Sequence, residues 1–220
     1  MNENEVKPLD KMSGTLALLL KIHIAVTIVA VGAGFYEYQV YSSAPAEVDV
    51  AQDWMASDGL TAVVGLMQML MFLSVGIVFL CWIYRANKNL GILSKYPMRF
   101  TPGWSIGWYF IPVANLFKPF QAMDEIYVRS KNTTEANSRI LGWWWLFWIA
   151  SGVAGQIAMR MTFRAVDLET SLRATTAYIV SDSIDIVLGV LALLLVMDIW
   201  KSYSKNYGPQ KNVDEQLRVE

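Results

Sequence analysis

The stretch "TPGWSIGWYFIPVANLFKPFQAMDEIY", Thr101 to Tyr127, decides how many times this chain crosses a membrane. Three prolines, two glycines and two tryptophans interrupt it, and the acids Asp124 and Glu125 stand near its end. It is too apolar for a surface loop and too broken for an uninterrupted helix. As a span it would carry Lys118, Asp124 and Glu125 into hydrocarbon, at about 2.5–3.5 kcal/mol for each charge near the centre. Its apolar part, Gly103–Phe117, is 15 residues, or about 22 Å of helix. A bilayer core needs about 30 Å. The stretch does not span.

Its prolines define two short helices instead. Thr101 can cap a helix whose first position is Pro102, where the missing N–H costs nothing. Trp104 and Trp108 are four apart and share a face. Pro112 removes a helical hydrogen bond and ends the helix. Pro119 opens a second one, with Phe120, Met123 and Tyr127 on one side and Gln121, Asp124 and Glu125 elsewhere. These helices, about 102–111 and 119–129, are expected in the inner leaflet or its interface, broken at "IPVANLFKP". Irregular backbone at that depth must be covered, so they are expected against the cytoplasmic ends of the spans.

The rest of the chain supplies those spans. Of its 220 residues 55% are hydrophobic and 17% charged, against about 25% charged in soluble domains. Four segments have the roughly 20 apolar residues that a crossing needs: about 15–36, 60–84, 140–159 and 179–200. The expected fold is an all-α, four-span bundle forming a single membrane domain over 14–201. A polar head (1–13) precedes it and a polar tail (202–220) follows. With both termini in the cytoplasm, fourteen Lys and Arg lie inside and three outside, which is the positive-inside pattern. The segment 37–59 holds no Lys or Arg but has Glu37, Glu47, Asp49, Asp53 and Asp58. Tyr36, Tyr38, Tyr41 and Trp54 read as outer interfacial anchors. Trp82, Tyr84, the "WWW" of Trp143–Trp145, Trp200 and Tyr203 read as inner ones. The expected location is a bacterial cytoplasmic membrane.

Three strings carry a resemblance: "CWIYRANKNL", "RFTPGWSIGWYFIPVANLFKPFQAMDEIY" and "WWWLFW". Their elements are R-A-x-x-N-L, then P-G-W-x-x-G-W-x-x-x-P-x-x-N-L-x-x-P-x-x-A-M-x-E-I, then a tryptophan-rich span. The chain resembles a bacterial integral membrane family known as domain of unknown function 4328, densely over Trp82–Trp148. The resemblance implies a fold and a location but no activity. It also implies that Arg85, Asn89, Asn115, Pro119, Gln121 and Glu125 hold that family's recurring polar positions.

Charges inside the spans are the candidate chemistry, because an intramembrane ionisable residue is costly and needs a partner. Asp182 and Asp185 fall one turn apart in the outer leaflet, and Arg160 and Arg164 are their expected ion-pair partners. Asp198, nearer the inner end, is expected to be matched by Lys21, His23 and Arg85. His23 reads first as a hydrogen-bonded packing residue. A polar cytoplasmic cleft is expected from Arg85, Asn89, Asn115, Gln121, Asp124 and Glu125, roofed by Trp104 and Trp108. Most of these side chains would satisfy the freed backbone of a broken helix. Met67, Met69 and Met71 alternate around their helix and read as packing. The "NTT" at Asn132 reads as chance.

Several classes are disfavoured. One cysteine, Cys81, and one histidine allow neither an internal disulfide nor a conventional metal site. No phosphate-binding glycine loop, nucleophile elbow or H-E-x-x-H helix is present, so no cofactor and no enzymatic activity are expected. A net charge of −1 gives no case for nucleic acid. The leading expectation is a non-enzymatic scaffold or regulatory membrane protein. Its partners would be the bilayer, anionic lipid at the cytoplasmic face, and a homo-oligomer or another membrane protein. The alternative is an oligomeric transporter or channel component that moves protons or a small solute past Asp182 and Asp185.

Overall fold

The computed structural model describes residues 6–43, 51–135 and 138–208, with the backbone only over 51–57. Glu47, Asp49, the side chains of Asp53 and Trp54, and the tail with Lys211 and Arg218 lie outside the described residues. The described chain forms six α-helices: α1 (Asp10–Ser43), α2 (Ala51–Leu93), α3 (Pro102–Gly107), α4 (Lys118–Ser130), α5 (Arg139–Thr162) and α6 (Leu168–Tyr207). Among the described residues there is no strand. Four helices are long and apolar enough to cross a membrane: α1, residues Asp58–Leu93 of α2, α5 and α6. The chain is an all-α, multi-pass, four-span protein.

Three of the long helices outrun the spans that hydropathy marks. With 34, 43 and 40 residues, α1, α2 and α6 measure about 50–65 Å at ~1.5 Å per residue, well beyond a hydrocarbon core of about 30 Å. Hydropathy sees only the apolar part, whereas a helix ends where its caps end it. The start of α6 shows this, since the Thr170 N–H donates to Asp167 Oδ1 at 2.8 Å, a side-chain N-cap.

The broken segment follows its prolines. Thr101 caps α3 by accepting the Trp104 N–H at 3.4 Å, with Pro102 in the first turn. The helix tightens into a 3-10 turn at Trp108–Phe110. The chain then reverses through a γ-turn in which the Ala114 N–H donates to the Pro112 carbonyl at 2.8 Å. Val113 at its centre has φ 66° and ψ −52°, a strained setting for a β-branched residue. A second 3-10 turn, Ala114–Leu116, leads into α4.

The helices gather into two compact units. The loop unit contains the described residues of Met1–Leu18, Gly76–Trp143 and Leu193–Glu220. Its core is Trp82, Ile83, Ala86 and Leu90 of α2, Ala122, Met123 and Ile126 of α4, and Leu195, Val196 and Ile199 of α6, none with any exposure. The cavity unit contains Leu19–Val75 and Trp144–Ala192. It packs through small residues: Ala30 and Ala33 meet Val64, Gly34 faces Ile179, and Gly189 faces Ile24. A Cβ on either glycine would lie 2.9 Å from the isoleucine Cγ1. Such small residues let membrane helices approach closely, where lipid supplies no hydrophobic drive.

Candidate polar sites within each unit

In the loop unit most buried polar side chains serve the backbone. Glu125 accepts the N–H groups of both Arg99 and Phe100. These donors precede α3 and have no helical partner, so a buried carboxylate on α4 closes the loop that leads into the broken segment. Asn89 donates to the Lys7 carbonyl at 2.8 Å and to the Tyr203 hydroxyl at 3.1 Å. Trp82 donates to Ser13 Oγ at 2.9 Å. At the end of α4, Asn206 donates to the Ser130 carbonyl and Tyr207 to that of Arg129, which ties α4 to α6. Asp124 is half-buried, and burial followed by the neighbouring Glu125 charge raises its pKa above the usual aspartate value.

The expected cleft does not form as one site. Arg85 and Asn89 line a hollow together with Lys7, Lys88 and Ile106. Gln121 accepts from the Lys118 ammonium at 3.4 Å. Glu125 is consumed by backbone, and the Asn115 Oδ1 is buried without a hydrogen-bond partner. Trp104 and Trp108 do stack, with centroids 4.6 Å apart. The Lys118 ammonium lies 5.7 Å from the Trp108 ring and 5.8 Å from that of Phe100, while Trp104 stays half exposed, so the pair does not roof a cleft.

Partners of the acids also differ from expectation. Asp198 pairs with Lys131 at 3.2 Å, a residue just past α4, and not with Lys21, His23 or Arg85. Lys21 is exposed, and Arg85 donates to the Pro8 carbonyl. Trp82, Trp144 and Tyr203 are buried core residues rather than interfacial anchors. Met67 and Met69 are about half exposed and serve as outward-facing side chains rather than packing.

In the cavity unit polar side chains face one another. The His23 Nε2 meets Asp185 Oδ2 at 2.8 Å, and Ser151 donates to Asp185 Oδ1 at 3.1 Å. Asp185 thus joins α1, α5 and α6. Gln68 of α2 donates to Asp182 at 3.1 Å. Arg160 and Arg164 are not the partners of these acids. Both are exposed, and among the described residues neither forms an ion pair. Counting charges looks for cations, but inside a helical bundle neutral donors also satisfy a carboxylate. His23 is a buried, hydrogen-bonded residue, as its apolar context suggested, and its Nδ1 has no partner.

Beside this network lies a cavity of about 510 Å³. Ala30, Ala33, Gly34, Ala62 and Gly65 form its wall, and their small side chains leave the space. Among the described residues three carboxylates line it, Glu37, Asp58 and Asp182, and no Lys or Arg does. Thr175 donates to Glu37 at 3.2 Å, and the Tyr41 hydroxyl donates to Asp58. In the sequence Glu37 and Asp58 count only as outer charge, because both fall just beyond the expected spans. Gln68, isolated in the run "LMQML", was a visible signal of a polar contact. Among the described residues no group of three His, Cys, Asp or Glu side chains is arranged to hold a metal ion.

A family model described as "Domain of unknown function (DUF4328)" matches residues 47–201. No curated protein and no solved structure matches the chain.

Proposed function

The chain belongs to the DUF4328 family of unknown function, and we propose that it is a non-enzymatic membrane protein that binds a small organic ammonium ion in its acidic cavity. The observation that carries this reading is the cavity lining: three carboxylates without a compensating Lys or Arg. Neutral donors can hold one carboxylate, as Gln68, Thr175 and Tyr41 do here, but three acids lining one cavity repel one another, and a cation among them relieves that repulsion. The space is large for a bare ion, and Tyr41 and Tyr178 in its lining offer aromatic faces suited to ammonium groups. Ser151 bonds to Asp185 and not to the imidazole, so no nucleophile and base are coupled there, which supports a binding role over catalysis.

The same reading places both termini in the cytoplasm of a bacterial cell, on the charge count above. The uncovered apolar residues Phe110, Val113 and Leu116 at the break suit a segment seated in the inner leaflet. The test is a melting series of the full-length protein in detergent, with choline, spermidine or ethylamine against their neutral analogues. Stabilisation by at least one ammonium ion, abolished in Glu37→Gln/Asp182→Asn, is expected. No ammonium-dependent shift across the series would overturn the reading. For topology, a reporter at Lys131 that becomes reachable from outside intact cells would overturn the orientation.

A second reading, a scaffold that docks another membrane helix, is supported by α2. Its apolar stretch is almost wholly unburied within the chain, and Val63, Leu66, Leu70, Phe72 and Leu73 are exposed on it. Cross-linking along α2 in native membranes tests this. A discrete adduct, rather than lipid alone, supports docking.

A further inference from the structure

We infer that the hollow at the α2 end of the loop unit is a binding site for an anionic phospholipid, with the headgroup phosphate held by Lys7, Arg85 and Lys88. The hollow has a volume of about 330 Å³ and is built from two chemistries. One part is cationic, Lys7, Arg85 and Lys88, with the Tyr84 ring among them. The other part is apolar, with Met12 of α1, Leu80 and Cys81 of α2, and Ile106 of α3. Among the described residues no carboxylate lines it. Among the described residues none of the three cations has a carboxylate partner. Arg85 uses one nitrogen on the Pro8 carbonyl at 3.4 Å, which holds its guanidinium in place and leaves other N–H groups for an incoming anion.

Position within the unit turns this cluster into a site. Arg85 and Lys88 are three apart on α2 and share one face. Lys7 is held beside them because Asn89, one residue on, donates to its carbonyl at 2.8 Å and accepts its N–H at 3.3 Å. Asn89 is almost fully buried. The Lys7 backbone is therefore fixed by hydrogen bonds that do not involve its ammonium group. Leu80 and Cys81 lie one turn before Tyr84 and Arg85 on the same helix, so an acyl chain could follow the helix from a phosphate held at its end. A soluble phosphate would use the cationic part and ignore the apolar part. A zwitterionic lipid would use the apolar part and gain little from three cations. Only an anionic lipid uses both, and basic residues beside a cytoplasmic leaflet attract such lipids.

Cys81 supplies an internal reporter, being the single cysteine, exposed and free. In detergent, a thiol-reactive probe should label Cys81 of the full-length protein. Phosphatidylglycerol in the micelle should slow that labelling at least fivefold. Phosphatidylcholine, glycerol phosphate and inorganic phosphate should not. Native mass spectrometry should show retained phosphatidylglycerol, weakened roughly a hundredfold in Lys7→Gln/Arg85→Gln/Lys88→Gln, on the order expected for three basic residues near a lipid surface. The charge-matched Lys11→Gln/Lys201→Gln/Lys205→Gln protein should retain it.

The inference is overturned if both triple variants lose lipid equally, since that describes a generic basic surface. It is also overturned if phosphatidylcholine protects Cys81 as well as phosphatidylglycerol does. Protection by inorganic phosphate or glycerol phosphate alone would make this a phosphate site and end the lipid reading. Should the triple variant fail to fold, Ile106→Trp leaves every charge in place while filling the apolar part. It should reduce lipid retention at least fivefold, and unchanged retention would overturn the proposal.

Discussion

The loop unit and the cavity unit use polar residues in opposite ways. In the loop unit Glu125, Asn89, Asn206 and Tyr207 bond carbonyls and N–H groups of loop backbone and of the last turn of α4. In the cavity unit His23, Ser151, Gln68, Asp182 and Asp185 bond to one another across regular helices, where the backbone is already satisfied. Polar side chains beside a broken helix are explained by the break. Those inside unbroken apolar helices are not explained by the backbone, and so they mark the better functional candidate.

Substitutions can break this contrast. The largest effect is expected from Glu125→Ala, which leaves the Arg99 and Phe100 N–H groups without an acceptor and should cost about 2–4 kcal/mol, read as a fall in melting temperature in detergent. Glu125→Gln, which keeps one acceptor, should lose less. Equal losses would show that the charge, rather than backbone satisfaction, is what the loop needs. Next comes Gly34→Val in the cavity wall, which forces a Cβ against Ile179 and should cost about 1–3 kcal/mol. Ile179→Ala in the same chain should restore part of that, and a double variant no better than the single one would contradict the close approach.

A smaller effect follows at Asp185. Asp185→Asn should destabilise by about 1 kcal/mol, since hydrogen bonds between membrane helices average under that. A loss as large as that of Glu125→Ala would erase the distinction between the units. The Lys131–Asp198 pair is partly exposed, so Lys131→Met should cost only about 0.5 kcal/mol. Burial opposes the Lys131 charge, but hydrogen bonds with Tyr127 and Asp198 outweigh it and raise its pKa. That stabilisation is complete below the ordinary lysine value of about 10.4 and fades as pH rises through the higher folded value. Wild type and variant melting curves should therefore converge only above that range.

Asp124 gives the smallest and most pH-specific effect. Its raised pKa means that its favourable contribution is present below the ordinary aspartate value, about 3.9, and is lost as pH rises through the folded one. Asp124→Asn should melt slightly above wild type at neutral pH and together with it below about pH 4. A constant offset at both pH values would show that the effect is packing and not ionisation.

Much of the fold was legible because its causes are local. The Thr101 cap, the Pro112 break and the restart near Pro119 follow from residues within a few positions of each other, and the structure places them there. The Trp104–Trp108 stack follows from a spacing of four. Partners of the acids were not legible. Asp185 reaches His23, 162 residues away in the chain, and which helix faces which depends on where Gly34 and Gly189 allow close approach. Charge counting favoured Arg160 and Arg164, and it could not weigh neutral Gln68 and Ser151 against them.

From its sequence alone this protein is a four-span helical membrane chain with a proline-broken connection that does not cross. Those conclusions rest on hydrocarbon thickness and on the cost of burying charge, quantities that act on each segment separately. The tertiary structure alone decided that Glu125 serves backbone, that Asp185 meets His23 and Ser151, and that Glu37, Asp58 and Asp182 share a cavity. Such contacts depend on the rotation and spacing of helices against one another. Packing sets those, and no single stretch of residues encodes them.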